Sequence, residues 1–135
     1  MGSIANHQER LREHEEGLAR AIAVGAEQHP VTIGFHTSAG ACELLELTLH
    51  KKGILQIGKV LKHEWFKRPK IGQKILPLAE RMIGLDFPEK KNAYELLYQI
   101  EEHRNNLIYG KSTLAEIDAV INAFRKLQEL LRIEE

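Results

Sequence analysis

Apolar residues recur at three- and four-residue steps along most of the chain, which is the period of an amphipathic α-helix. Residues 4–27 carry Leu11, Leu18 and Ile22 on one face, with charged residues on the others. Residues 92–109 repeat this pattern. So does the segment that begins at Thr113, where Thr113 and Glu116 form a capping-box sequence. No segment alternates with the two-residue period of a β-strand.

Residues 31–52 are apolar on most sides, which predicts the central and most buried helix. Small residues such as Gly34 and Gly40 make its first half slim, so another backbone can approach closely. Glu43, Glu46 and His50 follow a three- and four-residue spacing and form a polar ridge on a helix with little exposed face.

The remaining segments are short. Residues 54–66 predict a short helix or helical turn, residues 67–72 a loop, and residues 77–83 a short helix that Gly84 ends. The whole chain, residues 1–135, is therefore expected to be one all-α domain. Its architecture would be an antiparallel bundle of four long helices plus one or two short ones.

The composition argues against several classes of protein. The 135 residues include 19 Lys and Arg against 19 Asp and Glu, and this zero net charge argues against a generally basic nucleic-acid coat. The single cysteine, Cys42, excludes an internal disulfide and fits a reducing compartment. No signal peptide and no apolar run of membrane-spanning length is recognisable, so we expect a cytoplasmic protein without a membrane partner.

One residue in 92–109 breaks the amphipathic pattern. Arg104 lies about 40° from Ile100 and about 20° from Leu97 around the helix, so it falls in the middle of the apolar stripe. A buried guanidinium needs a carboxylate, a water-filled cleft or an anionic ligand. The candidate carboxylates are Glu43 and Glu46 on the central helix. A structural ion pair or a side chain that extends out to solvent are the simpler alternatives.

Residues 59–74 form the only strongly polarised segment, with six basic residues against Glu64. Trp65 and Phe66 lie within it, and a basic loop with aromatics is suited to phosphate contact and base stacking. The predicted RNA- or phosphate-binding residues are Lys62, Trp65, Lys67, Arg68, Lys70 and Lys74, with Lys59 as the sixth basic residue. The alternative is a solvated loop whose aromatics fold back into the core.

Other chemistry finds little support in the sequence. The seven histidines show no pair of ligands on one helical turn, and His63-Glu64 lacks the second histidine of a zincin. No phosphate-binding glycine loop is present, and Ser38 and Thr37 have no histidine and acid arranged around them. We therefore expect no metal and no cofactor.

The stretch from Arg104 to Gly110 resembles the catalytic helix of the HEPN family, small all-α domains of prokaryotic toxins, CRISPR effectors and other RNA-processing systems. The family signature is an arginine, usually followed by asparagine, then four to six residues and a histidine. Arg104 and Asn105 match the signature, and Tyr109 stands where the histidine is expected. The resemblance implies a site at Arg104, Asn105 and Tyr109.

The resemblance also implies a HEPN-like fold and a homodimer. It implies RNA or a nucleotide phosphate as ligand, a toxin–antitoxin or RNA-defence context, and a nucleotidyltransferase-like antitoxin as a possible partner. Tyrosine has a reference pKa near 10 and is a poor base at neutral pH. The first hypothesis is therefore a binding protein with little or no cleavage. The alternatives are a metal-independent endoribonuclease that uses Tyr109 or His103, and a purely structural helical dimer.

Overall fold

The protein is an all-α bundle in the computed structural model, which describes residues 4–56, 60–69, 72 and 76–131. The five α-helices of these residues are α1 Ile4–Gly25, α2 Pro30–Lys51, α3 Leu78–Ile83, α4 Lys90–Tyr109 and α5 Leu114–Leu130. Two 3-10 helices, Ala26–Gln28 and His63–Phe66, accompany them, and no strand occurs among the described residues. The predicted bundle of four long helices is thus confirmed, with α3 as its short helix.

Helix α2 is the centre of the bundle, as its sequence predicts. Fourteen of its 22 residues are buried, and it contacts α1, α4 and α5. Neighbouring helices run antiparallel: His7 and Gly17 of α1 meet Glu43 and His36 of α2, respectively. In the same sense, Gly34 near the start of α2 lies against Leu107 near the end of α4.

Two glycines of α2 mark where its neighbours come closest. A Cβ added at Gly34 would lie 2.9 Å from the Cβ of Leu107 and 3.6 Å from the carbonyl oxygen of Arg104. A Cβ at Gly40 would lie 3.2 Å from both His14 Cβ and the ring of Phe124. The close approach expected from the small residues of this helix therefore occurs on two sides, towards α4 and towards α1 and α5.

The helix ends follow local sequence rules. Pro30 occupies the first turn of α2, where its missing N–H leaves nothing unpaired. Gly84 ends α3 in the left-handed conformation. The capping box is present, since Thr113 Oγ1 accepts from Glu116 N–H at 3.2 Å and Thr113 N–H donates to the Glu116 carboxylate at 3.2 Å.

The segment before the basic loop forms less helix than its sequence suggests. Within residues 54–66 the described helical part is only the 3-10 turn His63–Phe66, and residues 57–59 lie outside the described part. Lys62 is extended, and the turn is held down by Phe66, which is almost fully buried. None of the helices in the described ranges combines the length and apolarity needed to cross a membrane.

Candidate functional site

Arg104 lies in the penultimate turn of α4 and is half-buried. Its Nε is buried and has no hydrogen-bond partner among the described residues. Its Nη1 donates to Asn105 Oδ1 at 3.3 Å, a long contact to a neutral acceptor. The positive charge of Arg104 is therefore not neutralised by any carboxylate at ion-pair distance within the described part of the chain.

The prediction that Arg104 pairs with Glu43 or Glu46 is wrong. Glu43 pairs with Arg10 and His7 of α1, and Glu46 accepts from the backbone N–H of Leu61. The reason is register: Arg104 is level with Gly34, and Glu43 and Glu46 lie about 14 and 18 Å further along the α2 axis. An arginine side chain does not span that distance.

Asn105 and Tyr109 are exposed beside Arg104 at the end of α4. The Tyr109 side chain is 80% exposed, so its phenol faces solvent. Tyr109 follows Arg104 by five residues, which places the two side chains about 140° apart around the helix. Within one chain, the side chains of Arg104 and Tyr109 therefore do not contact the same atom of a ligand.

Glu116 of α5 organises the polar residues on the other side of this helix end. Its carboxylate accepts from Asn106 Nδ2 at 3.0 Å and lies 3.2 Å from His103 Nδ1. The hydrogen bond from Asn106 is the main cause that holds the pKa of Glu116 below its usual range, and His103 adds to it. The carboxylate of Glu116 thus orients His103, which is the residue before Arg104.

The basic segment is less available than its sequence indicates. Arg68 contacts the carboxylates of Glu95 and Glu102 on α4, and its guanidinium carbon lies 5.3 Å from the ring centre of Tyr98. The Glu95 hydrogen bond is the largest cause that raises the pKa of Arg68 further above its usual range. Lys62 and Lys67 are exposed, whereas Lys59, Lys70 and Lys74 lie outside the described residues.

The aromatic residues of this segment fold towards the protein, as the simpler alternative predicted. Phe66 is in the core, where its ring meets Tyr94 edge-on at 5.4 Å. Trp65 is partly buried and lines an apolar pocket of about 340 Å³ with Leu61, Met82 and Ile83. Neither ring stands free for stacking on a base in the manner that the sequence suggested.

A group of buried polar side chains that sequence reasoning did not assign joins α1 to α2. His7 of α1 and Glu46 and His50 of α2 are all nearly inaccessible, at 2%, 2% and 5% exposure. Each offers one potential ligand atom, and these atoms lie within 4.8 Å of one another. The four-residue spacing of Glu46 and His50 was the available signal, but no sequence rule indicated that His7 would join them.

A second pair of histidines packs between the same two helices. The Nδ1 atoms of His14 and His36 lie 3.0 Å apart. Burial is the main cause that lowers the pKa of His14, and the neighbouring His36 lowers it further. Burial also lowers the pKa of His36. Two protonated rings at this distance would repel, so at least one of them is neutral.

Cys42 does not contribute to a site. It is buried, and burial raises the pKa of its thiol far above the usual range. A thiol that does not ionise is neither a nucleophile nor a metal ligand. The sequence-based interpretation of Cys42 as a small buried hydrophobe agrees with this environment.

Comparison with known proteins adds no relationship: no family model, no curated protein and no solved structure matches the chain.

Proposed function

We propose that the protein is a HEPN-like dimer that binds RNA or a nucleotide phosphate at the end of α4, with little or no cleavage. The observation that carries the proposal is the state of Arg104. No carboxylate lies at ion-pair distance from it among the described residues, although Glu101 is an electrostatic neighbour, and its Nε is buried and unpaired. A phosphate would supply the acceptors that the guanidinium lacks, in a charge-assisted contact.

The contrast with Arg68 supports this choice of site. Arg68 already has two carboxylates, Glu95 and Glu102, so its charge is compensated within the chain. The phosphate contact therefore belongs at Arg104 and Asn105, and exposed Lys62 and Lys67 supply secondary attraction. This is a smaller role for the basic segment than its composition predicts.

The dimer is supported by exposed apolar residues at the same end of the bundle. Here α1 ends, α2 begins, α4 ends and α5 begins. The exposed large apolar side chains of these helix ends are Val24, Val31, Phe35, Tyr109 and Leu114. A two-fold contact across this end would bury them and would bring Tyr109 of the partner subunit towards Arg104, which Tyr109 of the same chain does not approach.

The proposed cellular setting rests on the HEPN resemblance alone. On that basis we propose a toxin–antitoxin or RNA-defence system, with a nucleotidyltransferase-like protein as the partner. Co-purification of the chain with the product of an adjacent gene tests this element independently of RNA binding.

Titration of labelled single-stranded RNA with the purified protein tests the phosphate site. Arg104→Gln should weaken binding at least about tenfold, because a hydrogen bond to a charged group contributes about 1.5–3 kcal/mol. Arg125→Gln is the matched control, since Arg125 is exposed on α5 away from this end. Equal affinities of wild type, Arg104→Gln and Arg125→Gln would contradict the proposal.

A second candidate function, metal-independent RNA cleavage, is favoured by the contact between His103 and Glu116. A histidine with Nδ1 against a carboxylate has Nε2 available for proton transfer, as in general-base histidines. Cleavage by the unmodified protein in EDTA, lost in His103→Gln, would select this candidate. Cleavage lost in Tyr109→Phe instead would assign the proton transfer to the tyrosine.

A further inference from the structure

The buried group formed by His7, Glu46 and His50 has an unusual hydrogen-bonding state. Five buried side-chain atoms lack a hydrogen-bond partner within the described residues, and three of the five belong to this group: His7 Nε2, Glu46 Oε2 and His50 Nε2. Folded proteins leave few such atoms unpaired because each one costs about 1–3 kcal/mol. Three of them together indicate a shared partner.

The contacts of His50 show which of its atoms is a free electron-pair donor. His50 Nδ1 lies 2.9 Å from the carbonyl oxygen of Leu55. A carbonyl only accepts, so Nδ1 carries the proton and Nε2 carries the lone pair. This is the arrangement in which a histidine binds a metal ion, with its second nitrogen fixed by a backbone carbonyl.

His7 is oriented in a similar way by Glu43. Its Nδ1 lies 2.8 Å from Glu43 Oε2, and an ionised carboxylate only accepts. Arg10 Nη2 also lies 3.0 Å from this Nδ1 and would favour a lone pair there. That tautomer would leave a buried Nε2–H without an acceptor among the described residues, so we assign the proton to Nδ1. The Nε2 lone pair is then free, in the carboxylate–histidine arrangement of metal sites.

Glu46 supplies the third atom and a negative charge. Its Oε1 accepts from the backbone N–H of Leu61, which fixes the carboxylate. Its Oε2 has no hydrogen bond from any described residue and lies 3.2 Å from His7 Nδ1. A cation next to this carboxylate would offset the cost of burying its charge.

The spacing of the rings fits two ligands of one ion. The ring centres of His7 and His50 are 4.9 Å apart, with 28° between the ring planes. Two imidazoles bound to one ion at about 2.1 Å, with a tetrahedral angle between them, have ring centres about 5 Å apart. Glu46 and His50 lie one helical turn apart, which is a common spacing for two ligands on one helix.

We propose that His7, Glu46 and His50 form a binding site for one divalent transition-metal ion, with Zn²⁺ as the best match to two imidazoles and one carboxylate. The site is nearly closed to solvent and joins the first turns of α1 to the last turns of α2. Its role is therefore to hold these helices and the Leu61 segment together. This inference is independent of phosphate binding at Arg104, which lies towards the opposite end of α2.

Metal titration of the full chain, stripped of metal and without a histidine tag, tests the proposal. Equilibrium dialysis with Zn²⁺ followed by elemental analysis should find one ion per chain. Co²⁺ should give the intense visible absorption of a four-coordinate site, in which a water molecule completes the three protein ligands. His50→Gln should weaken binding by a factor on the order of 100 or more, since it removes a ligand rather than a group that only orients one.

Two further variants keep the result interpretable. His29→Gln changes a histidine outside the site and should bind Zn²⁺ like the wild type. Glu46→Gln retains the shape of the side chain and should weaken binding at least tenfold even if His50→Gln fails to fold, which circular dichroism would report. Less than stoichiometric binding by the wild type would overturn the proposal. Equal weakening in His29→Gln and Glu46→Gln would overturn it as well.

Discussion

Arg68 contacts the carboxylate of Glu95 through both of its terminal nitrogens, with 2.9 Å between Nη1 and Oε1. This fork-to-fork contact ties the basic segment to α4, and Glu102 completes it through Nε. The segment with the largest positive charge in the sequence is therefore placed beside acidic residues of its own chain. Its net attraction for a phosphate is smaller than its charge count suggests.

Removing these acids is expected to strengthen RNA binding. The double variant Glu95→Gln/Glu102→Gln frees Arg68 and removes two nearby negative charges, so the affinity for single-stranded RNA should rise at least about threefold at low salt. The log–log dependence on salt should steepen by about 0.7 if Arg68 gains one phosphate. Glu9→Gln/Glu129→Gln makes the same charge change elsewhere and is the control. An equal rise in the control would show a net-charge effect only.

Arg104→Gln is expected to change the free energy of unfolding by less than about 1 kcal/mol, because no carboxylate of the described residues lies at ion-pair distance from Arg104. Urea denaturation measures this quantity, and Arg68→Gln, which breaks contacts with two carboxylates, should be the more destabilising change of the two. A loss of about 3–5 kcal/mol in Arg104→Gln would instead indicate a buried ion pair.

Tyr109→His is expected to give metal-independent RNA cleavage, because histidine supplies the proton carrier of near-neutral pKa that tyrosine lacks. Labelled RNA incubated in EDTA measures this gain. The activity should disappear in Tyr109→His/Arg104→Ala and should not arise in Tyr109→Gln. Cleavage of equal strength in Tyr109→Gln would remove the proton-transfer explanation.

Gly34→Ala is expected to lower the free energy of unfolding by about 1 kcal/mol. The added Cβ meets Leu107 Cβ at 2.9 Å. The resulting overpacking costs about 1–3 kcal/mol, against a gain of about 1 kcal/mol in helix propensity. Gly17→Ala is the comparison, since its Cβ meets the ring of His36, which can move more easily than the α4 backbone. Greater stability of Gly34→Ala than of the wild type would show that α2 and α4 can separate without cost.

The pair His14 and His36 should make the fold sensitive to mild acid. Both pKa values are lowered in the folded state, so the unfolded chain binds more protons below its histidine pKa of about 6.5. Their contribution to stability is therefore complete above pH 6.5 and is lost as the pH falls below it. Nearby Glu13, Glu43 and Arg10 act on His14 more weakly than burial does.

Urea denaturation at pH 7.5 and pH 5.5 checks this expectation. Burial raises the pKa of Glu46, and this group contributes in the opposite direction over the same pH range, so the comparison between proteins is the test. The difference in stability between the two pH values should shift in favour of the lower pH in His14→Gln and in His36→Gln. His29→Gln, which alters a histidine outside the pair, should retain the difference. A pH dependence that is unchanged in both pair variants would assign it to other groups.

The sequence by itself determined the helices and the buried centre of this protein. The spacing of apolar residues, the capping box at Thr113 and the helix-ending Gly84 are local signals, and they gave the order and nearly the bounds of the elements. The slim first half of α2 also followed directly, because small residues at Gly34 and Gly40 leave room for another backbone whatever the arrangement of the bundle.

Only the tertiary structure decided which side chains meet. Helical periodicity gives the face of a residue but not the height at which two helices pack, so it placed Arg104 on the inner face and wrongly paired it with Glu43 or Glu46. The same limit hid the group of His7, Glu46 and His50, because His7 lies 39 positions before Glu46 in the sequence. The charge of Arg68 was visible in the sequence, whereas its neutralisation by Glu95 depends on how a loop folds against α4.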